Sequence, residues 1–174
     1  MTANGPYTQS FNYTHMFDFI DPNANCFKYA RYRKNSLYGK LVETNTFSIF
    51  KRIVQQADMN NILDNEQANF TLFVPSDEYI LKKYGINVFI NLDKGTAVSI
   101  VKSSMLDKRI TSELLQYSPM SYFFTKYPPN KLYISNVNFD MTINCSVKTL
   151  EKDIICDNGI IHVVDDFVNP QLQI

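Results

Sequence analysis

A chain of 174 residues with 45% hydrophobic and 20% charged residues has the length and composition of one soluble domain with an extension, able to bury roughly 70% of its unfolded surface. Lys and Arg together number 17, as do Asp and Glu, so no global field points to nucleic acid or to an anionic membrane. No run approaches the ~18 apolar residues of a membrane span.

Residues 1–34 read as an extension distinct from the rest. Met1 to Phe11 lacks a basic start and an apolar stretch, so no conventional secretory signal is expected and an intracellular or virion-associated location is favoured over secretion. The segment is rich in aromatics, among them Phe17, Phe19 and Tyr29, and it ends in a basic cluster that includes Arg31 and Arg33. A solvated lead-in accounts for it simply. The sharper reading is a docking arm reaching up to roughly 110 Å, with these five residues as candidate contacts to neighbouring protein, because aromatics and Arg dominate interface hot spots. The cluster is too short to favour single-stranded nucleic acid.

From Ser36 the apolar spacing becomes helical. Leu37, Leu41 and Val42 fit one short helix. Thr46 then stands as an N-cap before Phe47, Phe50, Ile53, Val54 and Ala57, an apolar face at spacings of three and four. A further turn of helix runs through Met59, Ile62 and Leu63.

Phe70 to Val74 is a short β-branched and apolar run, the pattern of a buried strand. Pro75 stops it, having no N–H for a ladder. Ser76 suits a helix N-cap, and Asp77 and Glu78 suit the positive end of the helix dipole. An apolar stretch follows at Ile86 to Leu92, and Thr96 can cap a helix that buries Ala97, Val98, Ile100, Val101 and Met105.

Beyond Asp107 the period turns from helical to alternating. Tyr122 to Tyr127, Lys131 to Val137 and Phe139 to Val147 read as strands. Asp153 to Cys156 and Ile160 to Val164 flank Asn158-Gly159, a strong type I′ hairpin signal because both central residues of that turn want positive φ. Helices first and antiparallel strands second give an α+β domain built on a sheet sandwich. There is no internal repeat.

Three cysteines (Cys26, Cys145, Cys156) cannot all pair within one chain, and without a secretory signal they are expected as free thiols. Cys145 and Cys156 suit packing as small hydrophobes. The sequons at Asn12, Asn69 and Asn144 matter only in a secreted chain, and Asn69 abuts a core strand. Catalytic, metal and cofactor roles find little support. The histidines are His15 and His162 alone, with no metal-ligand spacing, phosphate loop or nucleophile elbow. Ser76 and Asp77 are explained as caps. The expectation is a non-enzyme with no cofactor and no metal.

Two stretches carry a resemblance. Thr71-Leu72-Phe73-Val74-Pro75-Ser76-Asp77-Glu78 resembles the first signature box of fasciclin-like domains. Asn158-Gly159-Ile160-Ile161-His162-Val163-Val164-Asp165 resembles the second. Ser36 to Lys51 is similar to the family's opening helices and Arg109 to Leu115 to the segment after its central motif, so the likeness spans residues 35–170, leaving 171–174 as a tail. It implies a fasciclin-like fold, an antiparallel β-sheet sandwich or wedge with several helices packed on it. It also implies a non-catalytic protein-interaction or adhesion role, with Thr71, Phe73, Pro75, Ser76, Asp77, Asn158, Gly159, His162 and Asp165 as structural motif residues. Where relatives carry a Tyr-His pair linked to adhesion through integrins, this chain has Ser103 and Ser104. They remain candidate interaction positions, but neither offers an aromatic face or an imidazole. A different reading is a structural part of a large assembly, such as a minor capsid protein of a large DNA virus. It follows from the missing signal, the arm, and an excess of residues with A/T-rich codons (Phe, Tyr, Met, Ile, Asn, Lys) over those with G/C-rich ones.

Overall fold

The computed structural model of the chain describes residues 7–9, 31–117 and 120–168. Strands β1 (Tyr7–Gln9) and β2 (Arg31–Arg33) pair antiparallel, Tyr7 opposite Arg33. Tyr32 and Arg33 are already buried. The folded unit therefore takes in β2, ahead of the boundary expected at residue 35.

The helical half follows. Helix α1 (Leu37–Glu43) opens with Ser36, whose hydroxyl accepts from Gly39 N–H. A 3-10 turn (Asn45–Phe47) leads into α2 (Ser48–Gln56), and α3 (Asn60–Asp64) closes the group. Thr46 is not the cap of α2. The free amides of Ser48 and Ile49 are met instead by the carboxylate of Asp77, at 3.0 and 2.9 Å. Strand β3 (Phe70–Pro75) runs one residue further than expected, since Pro75 keeps register with Val164. Ser76 has the extended backbone of an N-cap before α4 (Asp77–Tyr84), but its side chain makes no capping bond. Helix α5 (Asn87–Ile90) and helix α6 (Lys94–Ser103) come next. The cap of α6 is Asp93, which accepts from both the N–H and the hydroxyl of Thr96. Met105 leaves the helix for strand β4 (Met105–Leu106).

After the short helix α7 (Ser112–Gln116), capped by Thr111, the chain is β. Strands β5 (Met120–Phe124), β6 (Lys131–Val137), β7 (Asp140–Ile143), β8 (Val147–Cys156) and β9 (Gly159–Val164) join β3 and β4 in a seven-stranded sheet of order β4-β3-β9-β8-β7-β6-β5. The stretch expected as one strand from Phe139 to Val147 is broken at Asn144 and Cys145, both at positive φ, and Cys145 is exposed rather than packed.

Not every pair is antiparallel. β3 and β9 run parallel, Phe70 opposite Gly159 and Val74 opposite Val163. Both strands are buried along their whole length, as parallel neighbours covered on two faces must be. β8 carries two irregularities between Thr149 and Ile154, and such bulges bend a strand. Beyond β5, Thr125 bridges Leu106 and Lys126 N–H donates to Met105 C=O at 3.0 Å. The last strand is thus tied back to the first, and the sheet forms a nearly closed wedge.

Two cores result. One lies between the sheet and the helices, where Leu72, Val74, Ile161 and Val163 meet Leu37, Phe50, Ile53 and Ile100. The other fills the wedge with Phe73, Leu106, Ile110, Leu132, Ile134 and Val164. Alternate residues of β3 and β9 serve the two cores, which is why these strands read as unbroken apolar runs.

Candidate interaction surface

Hydrogen bonds of the motif residues hold distant segments together. The Thr71 hydroxyl donates to Lys108 C=O at 2.6 Å and accepts from Ile110 N–H at 2.8 Å. The imidazole of His162, fully buried and stacked on Phe73 with centroids 5.5 Å apart, grips the same segment. Its Nδ1 accepts from Asp153 N–H at 3.1 Å, which leaves Nε2–H to donate to Ile110 C=O at 2.8 Å. Burial pushes the His162 pKa below its ordinary value, opposed by the Ile110 carbonyl and by Asp153. A neutral, enclosed ring already using both nitrogens is a strut. Asp165 accepts from Lys148 N–H at 3.0 Å and fastens β8 to the end of β9.

The hairpin box is a second such junction. Its two-residue loop is Asp157-Asn158, and Gly159 is the first residue of β9, paired with Cys156. Neither Asn158 nor Gly159 has a positive φ, so the tight turn is present but shifted by one residue from the type I′ expectation. The reason for each side chain is tertiary. Asn158 Oδ1 accepts from Leu37 N–H at 2.7 Å, while its amide donates to Leu63 C=O and Asn65 C=O, both at 2.9 Å. A single amide thus terminates α1 and α3 together. At Gly159 a Cβ would lie 2.3 Å from Phe70 C=O and 2.8 Å from Leu37 Cδ1, so the residue is glycine because backbone and helix approach too closely for anything larger.

The residues expected to face a partner fare differently. Phe17, Phe19 and Tyr29 lie outside the described residues. Arg31 is placed through its backbone only, opposite Gln9. Arg33 turns inward, which corrects its reading as an arm contact: its guanidinium pairs with Asp157 at 2.7 Å and donates to Asp64 C=O. Around it Asp64 accepts from Arg33 N–H at 2.9 Å and lies 2.5 Å from the Ser36 hydroxyl. Burial pushes the Asp64 pKa up, and those two bonds hold it back. Ser103 and Ser104 are 1% and 2% exposed. The Ser104 hydroxyl donates to Ile100 C=O and its carbonyl accepts from Phe73 N–H. They sit where α6 turns into β4, and neither is presented to a partner.

The outer face of β5 and β6 gathers several exposed large side chains. Met120, Tyr122 and Phe124 of β5 are 71%, 55% and 61% exposed, and Tyr133 of β6 is 49% exposed. Register places Tyr122 opposite Tyr133 and Phe124 opposite Lys131. The rings order one another: Tyr122 meets Phe124 edge-on at 6.2 Å and Tyr133 at 5.8 Å. The Lys131 ammonium lies over Tyr122 and Phe124, at 5.0 and 5.6 Å from their centroids, and pairs with no carboxylate among the described residues. Three rings packed on one another, with one cation over two of them and Met120 on the same side of β5, form a pre-ordered platform. Sequence reasoning placed this strand at Tyr122 to Tyr127, whereas β5 spans Met120–Phe124 and the chain turns after Thr125. It also missed the face, because Tyr122-Phe123-Phe124 is aromatic on both sides of the pleat. The one available signal was the lack of a polar residue at Met120, Tyr122 and Phe124, the alternate positions.

Among the described residues no cluster of three His, Cys, Asp or Glu side chains suits a metal ion, and no helix is long and apolar enough to cross a membrane.

Comparison with known proteins places the architecture. The family model for the fasciclin domain matches residues 45–170. Human periostin is 25% identical over 150 residues, covering 79% of this chain and 16% of periostin. A solved FAS1 domain pair from the insect cell adhesion molecule fasciclin I superposes with a TM-score of 0.61 at 25% identity, over 79% of this chain and 51% of that one. The chain therefore spans about half of the solved pair and a smaller part of periostin.

Proposed function

The chain belongs to the fasciclin domain family, and from that premise we propose that it is a non-catalytic module that binds another protein through the aromatic face of β5 and β6. The single observation that carries the reading is the cluster of Met120, Tyr122, Phe124 and Tyr133, four large side chains about half exposed or more on one side of two paired strands. Domains of this size scatter apolar residues singly over their surface, and a contiguous group marks a contact site. Aromatic and Met side chains are enriched in such sites, and rings already packed on one another lose little entropy when covered. The insect relative's description as a cell adhesion molecule fits the same class of role.

The test is attachment of cells to a surface coated with the protein. The double variant Tyr122→Ser/Phe124→Ser should reduce attachment at least about tenfold, the loss expected when a hot-spot pair is removed. Its thermal midpoint should move little, since both side chains are exposed. Attachment equal to that of the unaltered protein would remove this face from the binding.

A further inference from the structure

Helices α2 and α5 bound a second feature, a cleft of about 260 Å³. Ile49 and Phe89 contribute buried apolar surface to it, and Ile86 and Ile90, 48% and 40% exposed, add more toward solvent. The spacing of the helices is held by Gln56 of α2, whose amide donates to Phe89 C=O and Ile90 C=O at 3.3 Å. Lys51 and Arg52 line the same cleft. Neither makes an ion pair or a hydrogen bond among the described residues. Burial pushes the Lys51 pKa below its ordinary value, and Asp77 opposes the shift. That carboxylate is already engaged, since Ser48 and Ile49 N–H and the Ser48 hydroxyl occupy its two oxygens.

A half-buried ammonium with unused donors thus lines the cleft together with an exposed guanidinium and isoleucine and phenylalanine side chains. Desolvating a cation is unfavourable unless an anion meets it. We propose that this cleft binds a carboxylate joined to a small aliphatic or aromatic group, with Lys51 and Arg52 on the carboxylate and Ile86, Phe89 and Ile90 on the apolar body. The cleft is smaller than the roughly 300–1,000 Å³ of drug-sized sites, which limits the ligand to a small acid or to one terminal residue. The same chemistry is offered by a free monocarboxylic acid and by the C-terminal residue of a peptide, and the cleft shares no residue with the β5–β6 face.

Backbone amide NMR on the 174-residue chain tests this with sodium octanoate, octan-1-ol, and two copies of a short peptide ending in Phe, one with a free carboxylate and one amidated. Saturable shifts at α2 and α5 amides are expected with octanoate, with the free-carboxylate peptide, or with both, and the pattern identifies the source. The alcohol and the amidated peptide should not saturate. Lys51→Met, which keeps the length of the stem, should weaken binding at least about tenfold, the loss of one charge-assisted hydrogen bond. Arg52→Gln, on an exposed side chain, provides a second variant if Lys51→Met alters the fold. No saturable shift up to about 10 mM of either acid, a range that would detect even millimolar affinity, would overturn the proposal. So would equal binding of acid and alcohol, or unchanged binding in both variants.

Discussion

At the scale of single residues, the motif side chains act by where their hydrogen bonds end. Ser76 and Asp77 illustrate this. Adjacent short oxygens after a strand stop suggest that both serve the helix they begin, yet Asp77 caps α2 and Ser76 makes no side-chain cap. Asp77→Ala should cost about 1 kcal/mol in urea denaturation, the usual value of a lost cap, and Ser76→Ala distinctly less. A Ser76→Ala loss as large as or larger than that of Asp77→Ala would contradict this assignment of the caps. His162 gives a pH dependence of known sign. Its pKa is lowered by burial, so the unfolded chain binds the proton more readily than the folded one. The stability this group contributes is fully present above about pH 6.5, the ordinary histidine value. It is lost as pH falls from there toward the folded pKa, by at most about 1.4 kcal/mol per pH unit. Asp64, pushed up by burial, works in the opposite direction and is present in every variant. Urea midpoints at pH 7.5 and 5.5 should therefore converge in His162→Gln relative to the unaltered protein. An unchanged pH slope would show that His162 does not titrate differently on folding.

At the scale of elements, the β8–β9 hairpin is the fastening of the domain. It carries Asn158 under the ends of α1 and α3, Gly159 against β3, and His162 against the segment before α7. Asn158→Ala would leave Leu37 N–H and the carbonyls of Leu63 and Asn65 without the amide that meets them. A loss of roughly 2–4 kcal/mol is expected, within the range for breaking a buried polar network, and chemical denaturation would measure it. A cost below about 0.5 kcal/mol, the scale of an ordinary surface change, would mean that water replaces the amide freely. The hairpin was legible because turn residues and alternating apolar residues are local signals. Its offset by one residue was not, because Gly159 answers to Phe70 and Leu37 rather than to the turn.

At the scale of the whole molecule, the division into two cores decides which thiols and faces are accessible. Cys156 belongs to the core under the helices, and burial pushes its thiol pKa up to about 11. Cys145 is exposed. Brief treatment of the native protein with iodoacetamide at neutral pH should label Cys145 and leave Cys156 unmodified until denaturant is added, as read by peptide mass mapping. Equal labelling of the two would contradict the packing of Cys156. The same division turns Phe123 inward and Tyr122 and Phe124 outward, and so produces the aromatic face.

Sequence alone determined the order and type of most elements, the resemblance to fasciclin domains, and the place of the hairpin. These rest on apolar spacing, turn chemistry and short motifs, all of which act over a few residues. The tertiary structure alone decided the parallel pairing of β3 with β9, the inward turn of Arg33, the burial of Ser103 and Ser104, and the exposure of the β5–β6 face and the α2–α5 cleft. It also decided which helix each polar side chain caps. The Asp77 bonds to α2 span 29 and 28 residues of sequence and the Asn158 bond to Leu37 spans 121. A side chain's partner at such separation is set by the packing of whole elements, and no local pattern encodes it.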